Sequence, residues 1–162
     1  TRQVLDLIMD ETRALFEAGK PKEILTVDNH ADGPYVWMRM KREDPKRAEE
    51  VFELLQYNEG NSSGRGIGCI SWDGKVHADQ FWRDHTFGNV LERPFSQIWD
   101  DPQIELLHKL KDKKAHVKGR CAKCQFLNIC GGNFRARAEA FYGDEWAQDP
   151  ACYLTDEEIG IK

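Results

Sequence analysis

The chain has 162 residues, a net charge of −5, 40% hydrophobic residues and five Trp, enough for one cored domain and too acidic for a nucleic-acid or anionic-membrane binder. No apolar run nears the ~20 residues of a membrane span. No signal sequence opens the chain, which begins mid-pattern without Met and reads as a fragment of something longer. Five Cys, an odd number without signs of secretion, suit metal ligation in the cytoplasm better than a disulfide framework.

Val4, Leu5, Ile8, Leu15 and Phe16 recur at helical spacing, predicting an amphipathic helix over about 2–18 that Gly19-Lys20-Pro21 stops. Glu23 to Val27 reads as a short buried-type strand with Asp28, Asn29 and His30 at its C-terminal end. Helix, loop and strand form one αβ unit of a parallel sheet or α/β barrel, whose remainder is expected outside this chain. A helix is predicted over 34–43, and another from Pro45 to about Tyr57 with Asp44 as its cap. Asn58 to Gly66 is the clearest linker. It sets the expected organisation: 1–60 a barrel remnant, 67–162 a second domain.

Beyond the linker the period changes from 3.6 to 2. Ile67–Trp72 and Lys75–Gln80 flank Asp73-Gly74, a hairpin signal, and Phe87–Val90 offers a third edge. Helices are predicted from Pro94 to Trp99 and from Pro102 to about Asp112, with Ile104, Leu107 and Leu110 inward. Lys111–Lys118 reads as a solvated basic helix end. A loop over 120–130 carries three Cys, a helix follows from about Asn133 to Tyr142, and Asp149-Pro150-Ala151 leads to Cys152. The fold class expected is α+β, with a hairpin and helices around a cysteine loop.

Cys121, Cys124, Cys130 and Cys152 are spaced C-x2-C-x5-C-x21-C. Two residues between thiols let the chain turn back so that both reach one centre. Zinc modules usually complete such a pair with a second pair or with two His, and this loop has neither. Four thiolates in this spacing favour a [4Fe-4S] cluster, with zinc the main competitor. Gly131-Gly132 after Cys130 would let the backbone approach a cluster closely.

These cysteines, together with Cys69 and the Asp73-Gly74-Lys75-Val76 hairpin, the Phe87–Val90 segment and Cys130-Gly131-Gly132, resemble the auxiliary-cluster domain of radical SAM enzymes, called SPASM or, when shortened, twitch. The resemblance covers about 67–155. It implies that Cys121, Cys124, Cys130 and Cys152 hold one [4Fe-4S]. A second cluster would need further Cys where Asp79 and the Gly131–Phe134 stretch stand, so Cys69 alone cannot hold it and is read as a buried small hydrophobe.

The segments Asp28–Pro34, Gly60–Gly64, His77–Trp82 and Cys130–Ala138 resemble the radical SAM enzymes of haem d1 biosynthesis and extend the likeness over nearly the whole chain. Enzymes of the related siroheme-dependent haem pathway typically have Cys where Asn133 stands. The resemblance implies removal of propionate side chains from 12,18-didecarboxysiroheme, with S-adenosyl-L-methionine and a second [4Fe-4S] in a preceding part and an electron donor or acceptor protein as partner. The C-x3-C-x2-C triad that such catalysis requires is absent here. No catalytic residue is therefore expected in this chain, and alone it should not cleave SAM.

A polycarboxylate iron tetrapyrrole calls for cations and axial ligands. His30, His77, Arg135 and Arg137 are the substrate candidates, with Arg65, Lys75 and Arg83 as further cations, although a structural or surface role explains each of them as well. Trp72, Trp82 and Trp99 could stack on a macrocycle or simply fill the core. The competing reading is a stand-alone iron–sulfur or zinc module serving structure or electron transfer.

Overall fold

The computed structural model describes residues 1–161 and has an α+β architecture. Three helices open it: α1 (Arg2–Glu17), α2 (Asp32–Glu43) and α3 (Pro45–Asn58). α3 begins with Pro45 behind Asp44, whose carboxylate accepts the Arg47 N–H at 3.1 Å, the cap expected from sequence. Arg39 on α2 ties the first two helices together. It pairs with Asp6 and Asp10 on α1 and with Glu43 at 2.7 Å on its own helix.

The segment between α1 and α2 departs from expectation. Residues 23–27 form no strand and lie in solvent, with Leu25 and Val27 76% and 72% exposed. β-propensity becomes a strand only where neighbouring strands take up its backbone N–H and C=O groups, and none of the described strands runs beside it. The αβ unit is therefore not formed here.

The hairpin is formed, but shorter than its hydrophobic pattern. β1 (Cys69–Ile70), β2 (Lys75–His77) and β3 (Gly88–Asn89) make an antiparallel sheet in that order, with Cys69 opposite His77 and Val76 opposite Gly88. Asp79 ends β2 early, because its buried carboxylate accepts the N–H groups of Phe81 and Trp82 and turns the chain away. Five short α-helices follow: α4 (Phe95–Trp99), α5 (Glu105–Lys111), α6 (Gly119–Lys123), α7 (Leu127–Cys130) and α8 (Arg135–Tyr142).

Two cores result. One gathers Val76, Trp82, Phe87, Ile98, Leu107 and Leu110 between sheet and helices. The other joins Leu5 and Tyr35 of the opening helices to Phe126, Ile129, Leu154 and Ile159. Cys121 packs against the first and Cys124 and Cys152 against the second, so the cysteine loop is seated where the two meet. No helix among the described residues is long and apolar enough to cross a membrane.

Candidate metal centre

Three separate pieces of chain deliver four thiols to one place. Cys121 lies in α6, Cys124 caps that helix in an extended conformation, Cys130 ends α7, and Cys152 follows α8 and its loop. All four are free thiols lining one pocket with Ala31, Pro34, Leu127 and Asn133. Cys69 lies on β1 and does not line it, and it is half-buried rather than the buried hydrophobe expected, because its short strand leaves one side open.

The backbone prepares this convergence. Gly131 and Gly132 take φ of 63° and 78° directly after Cys130, and side chains there would run into Glu59 O at 2.7 Å and Val117 Cγ1 at 2.9 Å. Glycine is what lets the chain turn so closely behind the third thiol. The Phe126 N–H donates to the Cys124 sulfur at 3.3 Å, the kind of contact that tunes a bound metal group.

Burial pushes the Cys130 thiol far up, with Cys121, Cys152 and Cys124 adding repulsion. Burial also raises Cys124 and Cys152. Thiolates here therefore need a positive partner, and metal binding supplies one by displacing the protons. Tetrahedral zinc at about 2.3 Å from each sulfur requires sulfurs about 3.8 Å apart. Four thiols lining one pocket are the donor set for either zinc or a cluster. Four soft donors from three pieces of chain could equally reach a cluster that would offer a separate iron to each.

Around the thiols stand several cations. Arg120 donates to Asp156 and to Leu154 O, both at 2.6 Å. Arg135 is 1% exposed, and its guanidinium donates to the carbonyls of Glu145, Ala147 and Gly132. Lys113 is 4% exposed and donates to Asn61 O and Oδ1; burial, then Arg135 and Arg65, push its ammonium down to about 7. The basic run 111–118 thus is not all solvated. Lys113 continues the inward series Leu107, Leu110 and Val117, a helical spacing from which its burial could have been read.

The substrate candidates separate into two groups. His30 and Arg137 come together beside the pocket: the His30 imidazole stacks on Phe134 at 6.2 Å and the Arg137 guanidinium covers the same ring at 5.3 Å. Arg137 also holds Asp149 through two 2.8 Å bonds. Asn133 joins His30 to this region, accepting its backbone N–H at 3.0 Å and donating to Asn29 at 2.8 Å. Burial lowers the His30 pKa, with Lys113 next, which favours neutral imidazole.

His77 lies elsewhere. It is buried under the hairpin with one ring nitrogen 2.7 Å from His85 O and the other 3.2 Å from Ser71 Oγ. Lys75 and Arg65 pair with Asp73 and Glu59. Trp82 is a core residue whose Nε1 donates to Glu139 at 2.6 Å, whereas Trp72 is exposed under the Arg83 guanidinium. Trp99 stacks on Phe95 at 5.2 Å.

A family model of an iron–sulfur cluster-binding domain, SPASM, matches residues 63–125, taking in Cys121 and Cys124 and ending before Cys130. The chain is 63% identical over 163 residues to the Fe-coproporphyrin III synthase of Methanosarcina barkeri, covering 99% of the chain and 41% of that protein. It is 42% identical over 166 residues to the Pre-heme d1 synthase of Dinoroseobacter shibae, covering 99% of the chain and 40% of the relative. An AdoMet-dependent heme synthase of Methanosarcina barkeri is 40% identical over 125 residues, or 74% of the chain and 34% of that protein. The chain thus spans about two fifths, or less, of the length of these curated relatives. No solved structure matches it.

Proposed function

The chain carries a SPASM iron–sulfur domain and is homologous to radical SAM enzymes of haem synthesis, and from that premise we propose that it is the auxiliary-cluster part of an enzyme that remodels carboxylate side chains of an iron tetrapyrrole. The observation that carries this reading is the convergence of Cys121, Cys124, Cys130 and Cys152 on one pocket. A [4Fe-4S] held there supplies one-electron chemistry. Four cysteines ligating four irons leave no open corner for substrate, so the site serves electron transfer or structure rather than substrate binding. Asp79 and Asn133 stand where further cluster cysteines are expected, and both are committed to backbone hydrogen bonds. That supports one cluster in this chain, with SAM and its own cluster held by the part of the parent outside it. The exposed apolar side chains of Val4, Leu7, Phe16, Leu25 and Val27 fit a face that this remaining part covers.

His30 is the best-placed residue to meet the substrate. Its imidazole is half-buried, favoured neutral, and bonded through its ring to no described residue, unlike His77; neutral imidazole is the form that ligates iron.

Which side chains are removed is the finer point. The resemblance to the haem d1 enzymes implies propionates of 12,18-didecarboxysiroheme. The higher identity to a Fe-coproporphyrin III synthase, 63% against 42%, favours instead a product that keeps its propionates, as coproporphyrins do. Full-length enzyme incubated anaerobically with SAM, a reductant and 12,18-didecarboxysiroheme separates the two by product mass. In the same assay Cys124→Ala should still release 5′-deoxyadenosine while tetrapyrrole product falls at least tenfold. Normal product with the auxiliary iron gone would leave the centre only a structural role.

A further inference from the structure

We propose that Arg135 and Lys113 are the charge partners of the cluster and hold its reduction potential up, an inference that rests on the cluster reading above. Arg120 lines the cysteine pocket, while Arg135, Arg137 and Lys113 reach Gly132, Asp149 and Gly131 at or beside it, and the four differ in one respect. Arg120 and Arg137 are neutralised by Asp156 and Asp149. Arg135 and Lys113, the two most deeply buried, form no ion pair among the described residues; only carbonyl and amide oxygens receive their protons.

One donor is left over. Arg135 Nε is buried without a hydrogen-bond partner among the described residues. A buried Arg cannot shed its charge and a buried Lys keeps its own only beside an anion, so the pair calls for negative charge close by. The cysteines provide the only candidate the pocket offers besides Asp149, which Arg137 already holds. Both cations approach the turn directly after Cys130: Arg135 donates to the Gly132 carbonyl, and Lys113 lies against Gly131. Glycine at 131 and 132 keeps side chains out of the way: a Cβ there would come within 3.3 Å of Lys113 Cε and 3.6 Å of Arg135 Cζ.

A cluster bound by four thiolates is anionic and becomes more so on reduction. Fixed positive charge and an N–H left for sulfur therefore favour the reduced form and raise the potential. This would make the cluster an electron acceptor rather than a donor. It also gives Arg135 a place among the cluster's neighbours instead of among the groups that bind substrate carboxylates.

The test is an EPR-monitored redox titration of the chain reconstituted anaerobically with iron and sulfide. Lys113→Gln and Arg135→Gln should each keep their iron and lower the reduction equilibrium constant about tenfold, a midpoint ~59 mV more negative for a one-electron couple. Arg135→Lys retains the charge and should recover most of that shift. If Arg135→Gln fails to fold, Lys113→Gln and Arg135→Lys decide: an unmoved midpoint in Lys113→Gln at full iron content overturns the proposal. Wild type that takes up no iron would instead sink the cluster reading, and this inference with it.

Discussion

Asn133 shows how much a single residue carries here. It is buried in the left-handed region at φ 60°, and its side chain bonds both the His30 N–H and Asn29. Asn is among the few residues that adopt this conformation readily, because its short amide bonds locally. Asn133→Ala would leave the half-buried His30 N–H without its partner, remove a bond to Asn29 and place Ala in a disfavoured conformation, at a cost of about 1–3 kcal/mol. Asn133→Gly loses the same bonds but not the backbone fit, and should be less destabilising by about 1 kcal/mol. Urea unfolding of the two variants beside wild type checks the order, and an Ala variant as stable as wild type would contradict it. The role of Asn133 was only half legible in the sequence. Its position next to the glycine pair was plain, but its two partners lie more than a hundred residues away, and no local pattern reports such a bond.

Among the elements, those defined by local chemistry were legible and those defined by neighbours were not. The Asp44-Pro45 cap, the Asp73-Gly74 turn and the helical spacing of α1 are short-range signals, and each formed as expected. The run Glu23–Val27 has the composition of a strand, but pairing depends on a partner that sequence alone does not supply. Lys113 hid in a basic run because its charge outweighed its inward spacing. At the chain's far end, Thr155 and Glu158 bond each other's backbone N–H reciprocally, the exchange of a capping box, and Glu158 also clamps Arg2 of α1. Arg2, with help from the Thr155 N–H, holds the Glu158 carboxyl down to about 2 from an ordinary 4.5. A depressed carboxyl stabilises the fold fully above its ordinary value and loses that contribution as pH falls through about 2. Both side chains are partly solvated, at 35% and 25% exposure, so the contribution at neutral pH is about 1 kcal/mol. Glu158→Gln should lose that amount at pH 7 and converge with wild type toward pH 2. A difference between the two that is independent of pH would show that the clamp is not electrostatic.

At the scale of the whole molecule, the cysteine loop is held between two cores that share little else. Cys121 leans on the sheet-side core, Cys124 and Cys152 on the core shared with α1 and α2. A cluster across those thiols would bond the two halves directly and close the irregular chain from residue 121 to residue 152. Four thiols, three from one short loop and one from a distant return, were already visible as a spacing, whereas their common pocket is a property of the fold. Iron and sulfide content of the anaerobically reconstituted chain tests this most directly. The account predicts about four irons and as many sulfides per chain, unchanged in Cys69→Ala and lost in Cys121→Ala, Cys124→Ala, Cys130→Ala and Cys152→Ala. Iron that survives loss of Cys130, iron that disappears with Cys69, or a single zinc in place of iron would contradict it.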